Sequence, residues 1–176
     1  MGSASGHTAA SPRLPGSSAL HSPTAWRSRR RELAVEVTRY LGAISILLVG
    51  AVHAQQYYYA YFYVVPTIGT LFLLSFIGAG VVGVTLLVPA RLFGRRLGDA
   101  IHAVAALGAI SIALGTLVSL LISEYTPLFG FMESGYRLAV ILTLLFDVMT
   151  TVFLGAFLLL VGPGLVRSLI DQRRSS

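Results

Sequence analysis

The sequence predicts an all-α fold, a four-transmembrane-helix antiparallel bundle with both termini cytoplasmic. Three observations predict it. Of the 176 residues, 55% are hydrophobic and 11% charged, with a mean hydropathy of +0.78. A water-soluble domain carries about 25% charged residues, so this chain cannot cover a soluble surface. Four segments reach the roughly 20 apolar residues that cross a ~30 Å hydrocarbon layer. Finally, the arginines cluster outside those segments and almost all on one side.

The first 25 residues are rich in Ser, Ala, Gly, Pro and His. They lack the apolar run of a signal peptide, and Gly6 departs from the myristoylation pattern, so 1–25 is expected to be a disordered cytoplasmic tail. Residues 26–39, WRSRRRELAVEVTR, follow. There Trp26, Leu33 and Val37, continued by Tyr40, share one helical side while arginines and glutamates take the rest. That pattern describes an interfacial basic helix, with Arg29, Arg30 and Arg31 on anionic headgroups at about 1 kcal/mol each.

The four-helix membrane domain covers 40–162, with spans at about 40–58, 66–88, 100–122 and 138–161. Pro66 suits the first turn of span two, Pro89 ends it, Asp99 is the expected N-cap of span three, and Gly162, Pro163 and Gly164 close span four. Residues 163–176 form a basic cytoplasmic tail. Twelve of the thirteen arginines lie before span one, between spans two and three, or after span four, leaving Arg137 alone on the other side. The positive-inside bias therefore puts both ends in the cytoplasm of a multi-pass plasma-membrane protein. It also assigns Arg95 and Arg96 to headgroups, and Arg39 and Arg137 to snorkelling positions at span ends. The net charge of +6 thus speaks for a lipid surface rather than nucleic acid.

Between spans one and two runs HAQQYYYAYFYVVPTIG, His53 to Gly69. Tyrosines concentrate at membrane–water boundaries because the ring is apolar and the hydroxyl needs a wet partner, so an aromatic belt on the external turn is the plain expectation. The sharper one is a mouth for an amphipathic ligand such as a quinone or lipid, formed by Gln56, Tyr57, Tyr58 and Tyr61. A second external turn, SEYTPLFGFMESGYR (Ser123 to Arg137), repeats the aromatic pattern.

Helices in lipid associate through close packing of small residues. Ser75, Ala79 and Gly83 supply one stripe on span two; Ala105, Ala109 and Ala113 supply one on span three, and Ser111, Gly115 and Ser119 another. Two stripes predict span three as the central helix. GAGVVG, Gly78 to Gly83, fits GxGxxG but lacks the strand and soluble βαβ unit of a dinucleotide site, so its glycines are packing residues.

Asp147 carries the strongest functional signal. It lies ten residues after Arg137, ~15 Å deep at 1.5 Å per residue. An ionisable group there costs roughly 2.5–3.5 kcal/mol on insertion scales and is a functional candidate by default. Thr143, Asp147, Thr150, Thr151 and Gly155 form a polar stripe expected to face the bundle interior. The plain reading is an acid bonded to a hydroxyl or carbonyl on another helix; the sharper one is a proton relay of Asp147, His53, Thr143 and Thr151, with His53 as a cationic partner. His53 and His102 differ too much in depth, ~20 Å and ~5 Å from the cytoplasmic ends of their spans, to share a haem iron. No catalytic motif and no metal-ligand spacing is present, cysteines are absent, and no cofactor is expected.

The run VHAQQYYYAYFYVVPTIGTLFLL, Val52 to Leu74, with VPTIG at Val65 to Gly69, resembles small uncharacterised four-span integral membrane proteins of high-GC Gram-positive bacteria. The resemblance covers about the central 130 residues and implies location and architecture, with no activity attached. The function class expected is a non-enzymatic structural or accessory subunit, working as a homo-oligomer or inside a larger membrane complex. The alternatives are a small oligomeric transporter or proton-coupled carrier using Asp147 and, behind it, a quinone- or haem-binding redox subunit.

Overall fold

The computed structural model describes residues 23–127 and 138–174. Four helices, α1 (Pro23–Tyr59), α2 (Pro66–Leu87), α3 (Arg95–Tyr125) and α4 (Leu138–Arg174), are joined by 3-10 turns at Phe62–Val64 and Ala90–Phe93. Each contains a stretch long and apolar enough to cross a membrane: Trp26–Tyr59, Pro66–Leu87, Leu97–Ser123 and Leu138–Gly164. Among the expected features, most of the 1–25 tail, Arg137 and the aromatic residues Phe129, Phe131 and Tyr136 lie outside the described residues.

Pro66 occupies the first turn of α2 as expected. At the other end Val88 adopts an extended conformation, because the residue before a proline is pushed out of the helical region by the ring of Pro89. Residues 26–39 feed span one without a break, as the first part of α1, and two other expected boundaries are corrected. Trp26, Leu33, Val37 and Tyr40 do stay exposed on the surface of α1. Asp99 is not an N-cap: α3 begins at Arg95 behind Gly94, whose positive φ of 78° only glycine adopts freely. The glycines and proline at 162–164 do not end α4, which continues to Arg174 with Pro163 inside it. Proline there removes one backbone N–H and crowds the carbonyl four residues earlier. Arg31 Nη2 donates to the neighbouring Leu160 carbonyl at 2.7 Å.

The helices pack as a ring in which α1 meets α2 and α4, and α3 meets α4 and α2. No helix of the ring is central, though α3 has neighbours on both sides; the most buried helix is α1, with 44% of its apolar stretch buried against 17–22% in the other three. Small residues explain the close approach. A Cβ on Gly83 would lie 2.6 Å from Leu47 Cγ, and one on Gly50 would lie 3.0 Å from Ala79 Cβ. Ala105, Ala109 and Ala113 are buried in the core with Ile46, Leu86 and Leu154. Outward-facing Val81, Val104 and Leu159 remain well exposed, as side chains turned to lipid should.

The second expected stripe on α3 does not pack. Ser111, Gly115 and Ser119 are exposed, and a Cβ at Gly115 would meet nothing within 4 Å. Toward Arg95 the two helices do meet, where added Cβ atoms at Gly78 and Gly108 would face Ile112 at 3.1 Å and Val82 at 3.4 Å. Beyond that contact the small residues of α3 have no neighbour large enough to fill the space, and the deficit is a cavity.

Candidate functional site: a bundle cavity with a buried carboxyl behind its wall

The cavity has a volume of about 430 Å³ and lies toward the end of the bundle that carries the α1–α2 turn. Every helix contributes: His53 and Gln56 from α1, Phe72 and Ser75 from α2, Gly115, Thr116 and Ser119 from α3, Val140 and Thr143 from α4. Phe62, from the 3-10 turn, completes it. The walls are chiefly hydrocarbon, with hydroxyls set singly among them. Ser111 and Ser123 turn their hydroxyls back to their own helix, onto the Leu107 and Leu120 carbonyls at 2.9 and 2.8 Å. Among the described residues no arginine, aspartate or glutamate lines the cavity. Its volume falls in the range of small-molecule sites.

The turn that closes this end is held by a close backbone approach. A Cβ on Gly69 would lie 2.5 Å from the Phe62 carbonyl oxygen, so α2 and the turn touch backbone to backbone. Phe62 is buried there, its ring 5.1 Å from that of Phe72. Tyr61, just before it, takes a left-handed φ of 61°. Of the four expected mouth residues, Gln56 lines the cavity and the three tyrosines do not. Tyr58 and Tyr61 are exposed, and Tyr57 packs edge-on against Tyr58. The tyrosines form a cluster on the surface at that end, while Phe62, for which no role was expected, makes the wall.

Asp147 is 1% exposed and faces the bundle interior. Its Oδ2 accepts a hydrogen bond from Thr116 Oγ1 at 2.7 Å. Its Oδ1 and the hydroxyl of Thr150, one turn on, are buried without a partner. Thr116 also lines the cavity, as does Thr143, so one side chain separates the carboxyl from that space. Thr151 does not serve the carboxyl: its hydroxyl donates to the Asp147 backbone carbonyl at 2.9 Å. Thr150 takes its place in the buried polar stripe.

His53 does not pair with Asp147. Its Nδ1 donates to the Val49 carbonyl at 2.8 Å, an oxygen that can only accept, and its ring packs 5.2 Å from that of Phe72. It is 5% exposed and forms part of the cavity wall.

A second polar cluster lies at the opposite end. Arg39 is 3% exposed, so it does not snorkel. Its Nη1 donates to the Leu86 and Val88 carbonyls at 2.7 and 3.2 Å, and its Nη2 to Glu36 at 2.6 Å. His102 Nε2 donates to the same Val88 carbonyl at 2.9 Å. These are carbonyls orphaned where α2 stops, so the cluster is a helix cap assembled from two other helices. It is built on the Arg39 part of α1, 14 residues before His53. Among the described residues no group of three His, Asp or Glu could hold a metal ion. Of the arginines assigned to headgroups, Arg29 and Arg30 are exposed, Arg30 over the Trp26 ring at 4.8 Å. Arg31 spends one nitrogen on Leu160, and the side chains of Arg95 and Arg96 lie outside the described residues.

No protein-family model, no curated protein and no solved structure matches the chain.

Proposed function

We propose that this chain is a non-enzymatic integral membrane protein that holds an amphipathic, lipid-soluble molecule in its bundle cavity, as an accessory component of the plasma membrane. The observation that carries the reading is the cavity itself: hydrocarbon walls, isolated hydroxyls and, among the described residues, no charged lining residue. The bundle is antiparallel, which the order of contacts supports. Gly83 faces Leu47 and Gly50 faces Ala79; Gly42 faces Leu154, and Arg31 reaches Leu160. Both termini are cytoplasmic on the arginine bias, so the α1–α2 turn and the cavity beside it lie toward the outer face. Reporter fusions at the C-terminus and in the 128–137 segment test the orientation.

Gly115→Leu tests the function. The space beside Gly115 is empty, so the leucine fills cavity without touching the helix contacts. Wild-type protein extracted in mild detergent is expected to carry a lipid-soluble molecule that mass spectrometry detects, and the variant to lose it. Equal extracts from the two proteins would sink the reading.

A second reading, a proton-coupled carrier, has one observation in its favour: the unpartnered Oδ1 of Asp147 joined to the cavity through Thr116. Proteoliposome flux abolished by Asp147→Asn would favour it over simple binding.

A further inference from the structure

We propose that the cavity selects an uncharged ligand whose polar head is a hydroxyl, an alcohol or phenol on an apolar body, and that His53 reads the hydroxyl proton. The proposal rests on the cavity being a ligand site and names the chemistry of what enters it.

The Val49 carbonyl can only accept, so the Nδ1 that faces it at 2.8 Å carries a hydrogen. A neutral imidazole has one N–H, and the other nitrogen is then a lone-pair acceptor. No carboxylate lies within ion-pair distance of His53 among the described residues, and Nε2 makes no hydrogen bond there. The ring is 5% exposed, one side is taken by Phe72, and it lines the cavity. What it offers a ligand is therefore an acceptor. Gln56 stands three residues on, the spacing of neighbours on one helix face, and lines the same cavity. Its amide adds a donor. A hydroxyl can donate to one and accept from the other. An ether, ester or quinone carbonyl can only accept, and would leave His53 Nε2 unsatisfied. A carboxylate or phosphate would meet no cation among the described lining residues, which include no arginine. The loss of a partner for a buried polar group is the larger penalty in recognition of this kind.

Two probes of matched shape test this, 4-nonylphenol and its methyl ether 4-nonylanisole, which differ only in the O–H. Full-length protein in lipid nanodiscs is titrated with each, and affinity is expressed against the probe's partitioning into protein-free nanodiscs. The phenol is expected to bind roughly three- to tenfold tighter, the worth of one net hydrogen bond, and His53→Phe should erase the preference. In parallel, 15N spectra of histidine-labelled protein should show Nδ1 protonated and Nε2 bare, with Nε2 shifting when the phenol is added. That measurement needs no variant, so a His53→Phe protein that fails to fold leaves the test intact. Equal binding of the two probes, or a protonated Nε2 in the free protein, overturns the hydroxyl selection while the cavity reading stands. Binding of neither probe overturns the selection, and failure of the Gly115→Leu experiment as well removes the site.

Discussion

The hydroxyl of Thr116 lies 2.7 Å from Asp147 Oδ2 and 2.9 Å from the carbonyl of Ala113, and it has a single proton for both. Donated to the carboxylate, that proton leaves Ala113 with its helical partner alone. Donated to Ala113, it leaves the short contact to be made by an acidic Asp147 proton passing to Thr116. Both arrangements use the same heavy-atom positions, so the pair tolerates either state of the carboxyl without moving a helix.

An amide at position 147 can also donate or accept, so Asp147→Asn should fold and assemble like the wild type. Thr116→Val keeps the shape and removes the bond, leaving the carboxyl with no partner. Interhelical hydrogen bonds in membranes are worth about 1–2 kcal/mol at most, and that is the expected loss. Unfolding in a denaturing detergent titrated against mixed micelles measures both variants. Equal stability of Thr116→Val and wild type would show that the bond contributes nothing.

Arg39 makes the second case for polar groups as structural fastenings. It is almost fully buried at the end of α2 and serves two carbonyls that have no helical donor. Arg39→Leu strands the Leu86 carbonyl and leaves Val88 to His102 alone. Charge-assisted hydrogen bonds contribute about 1.5–3 kcal/mol, so a loss of about that size is expected, with Arg39→Lys intermediate because an ammonium cannot span the same fork of acceptors. His102→Phe removes the other donor to Val88 and should cost less. Stability measured by the same detergent titration should rank the three variants in that order, and an Arg39→Leu protein as stable as His102→Phe would contradict it.

What the sequence disclosed and what it hid follow from the physics of the bilayer. Hydropathy and length mark a span whatever its neighbours, so four helices were legible, and Pro66 announced its helix start. The inward turn of Asp147 was legible too, because a carboxyl has nowhere else to go in lipid. Partners were not. Thr116 and Thr143 are ordinary threonines in an apolar run, and only the packing of α3 on α4 selects Thr116. The Ser111–Gly115–Ser119 stripe misled for a related reason: small residues permit close approach but do not compel it. On α2 the same pattern packs on α1, and on α3 it borders empty space. The snorkelling expected of Arg39 failed because the end of α2 offers it better acceptors than water does.

Glycine substitutions separate those two roles. Gly83→Val would drive side-chain carbon into Leu47 and Ile46, at 2.6 and 3.3 Å already for the first carbon, and should part α1 from α2. Gly80→Val, one turn away where an added Cβ meets nothing within 4 Å, should be tolerated. Gly115→Ala should be tolerated and gain a few tenths to about 1 kcal/mol from helix propensity. Introduced cysteine pairs at 47 and 83 offer a direct check on the wild-type contact, since cross-linking should be efficient there and lost when Gly50 is enlarged to Val. If Gly80→Val and Gly83→Val were equally disruptive, the packing assigned to the α1–α2 contact would be wrong.

The turn after α1 sets whether the cavity has a closed end. Gly69 is pressed against the Phe62 carbonyl and the Tyr63 Cα, backbone atoms that cannot rotate away as a side chain does. Gly69→Ala must therefore displace the turn and with it the Phe62 ring from Phe72. Tyr61 is different: its left-handed backbone costs roughly 1–2 kcal/mol for a residue with a Cβ, a conformation that asparagine visits more readily. Tyr61→Asn should leave the turn in place, at the loss of a surface aromatic. Amide hydrogen exchange across 62–69 reads both outcomes. Faster exchange is expected at Val65 and Gly69, whose N–H groups bond to the Phe62 and Val65 carbonyls at 3.0 and 2.7 Å, in Gly69→Ala alone. Loss of the cavity-bound molecule should follow the same variant, because a displaced Phe62 removes one wall while His53 and Gln56 stay on α1. Unchanged exchange in Gly69→Ala would mean that the backbone approach does not hold the turn, and that the cavity end is closed by something other than Phe62.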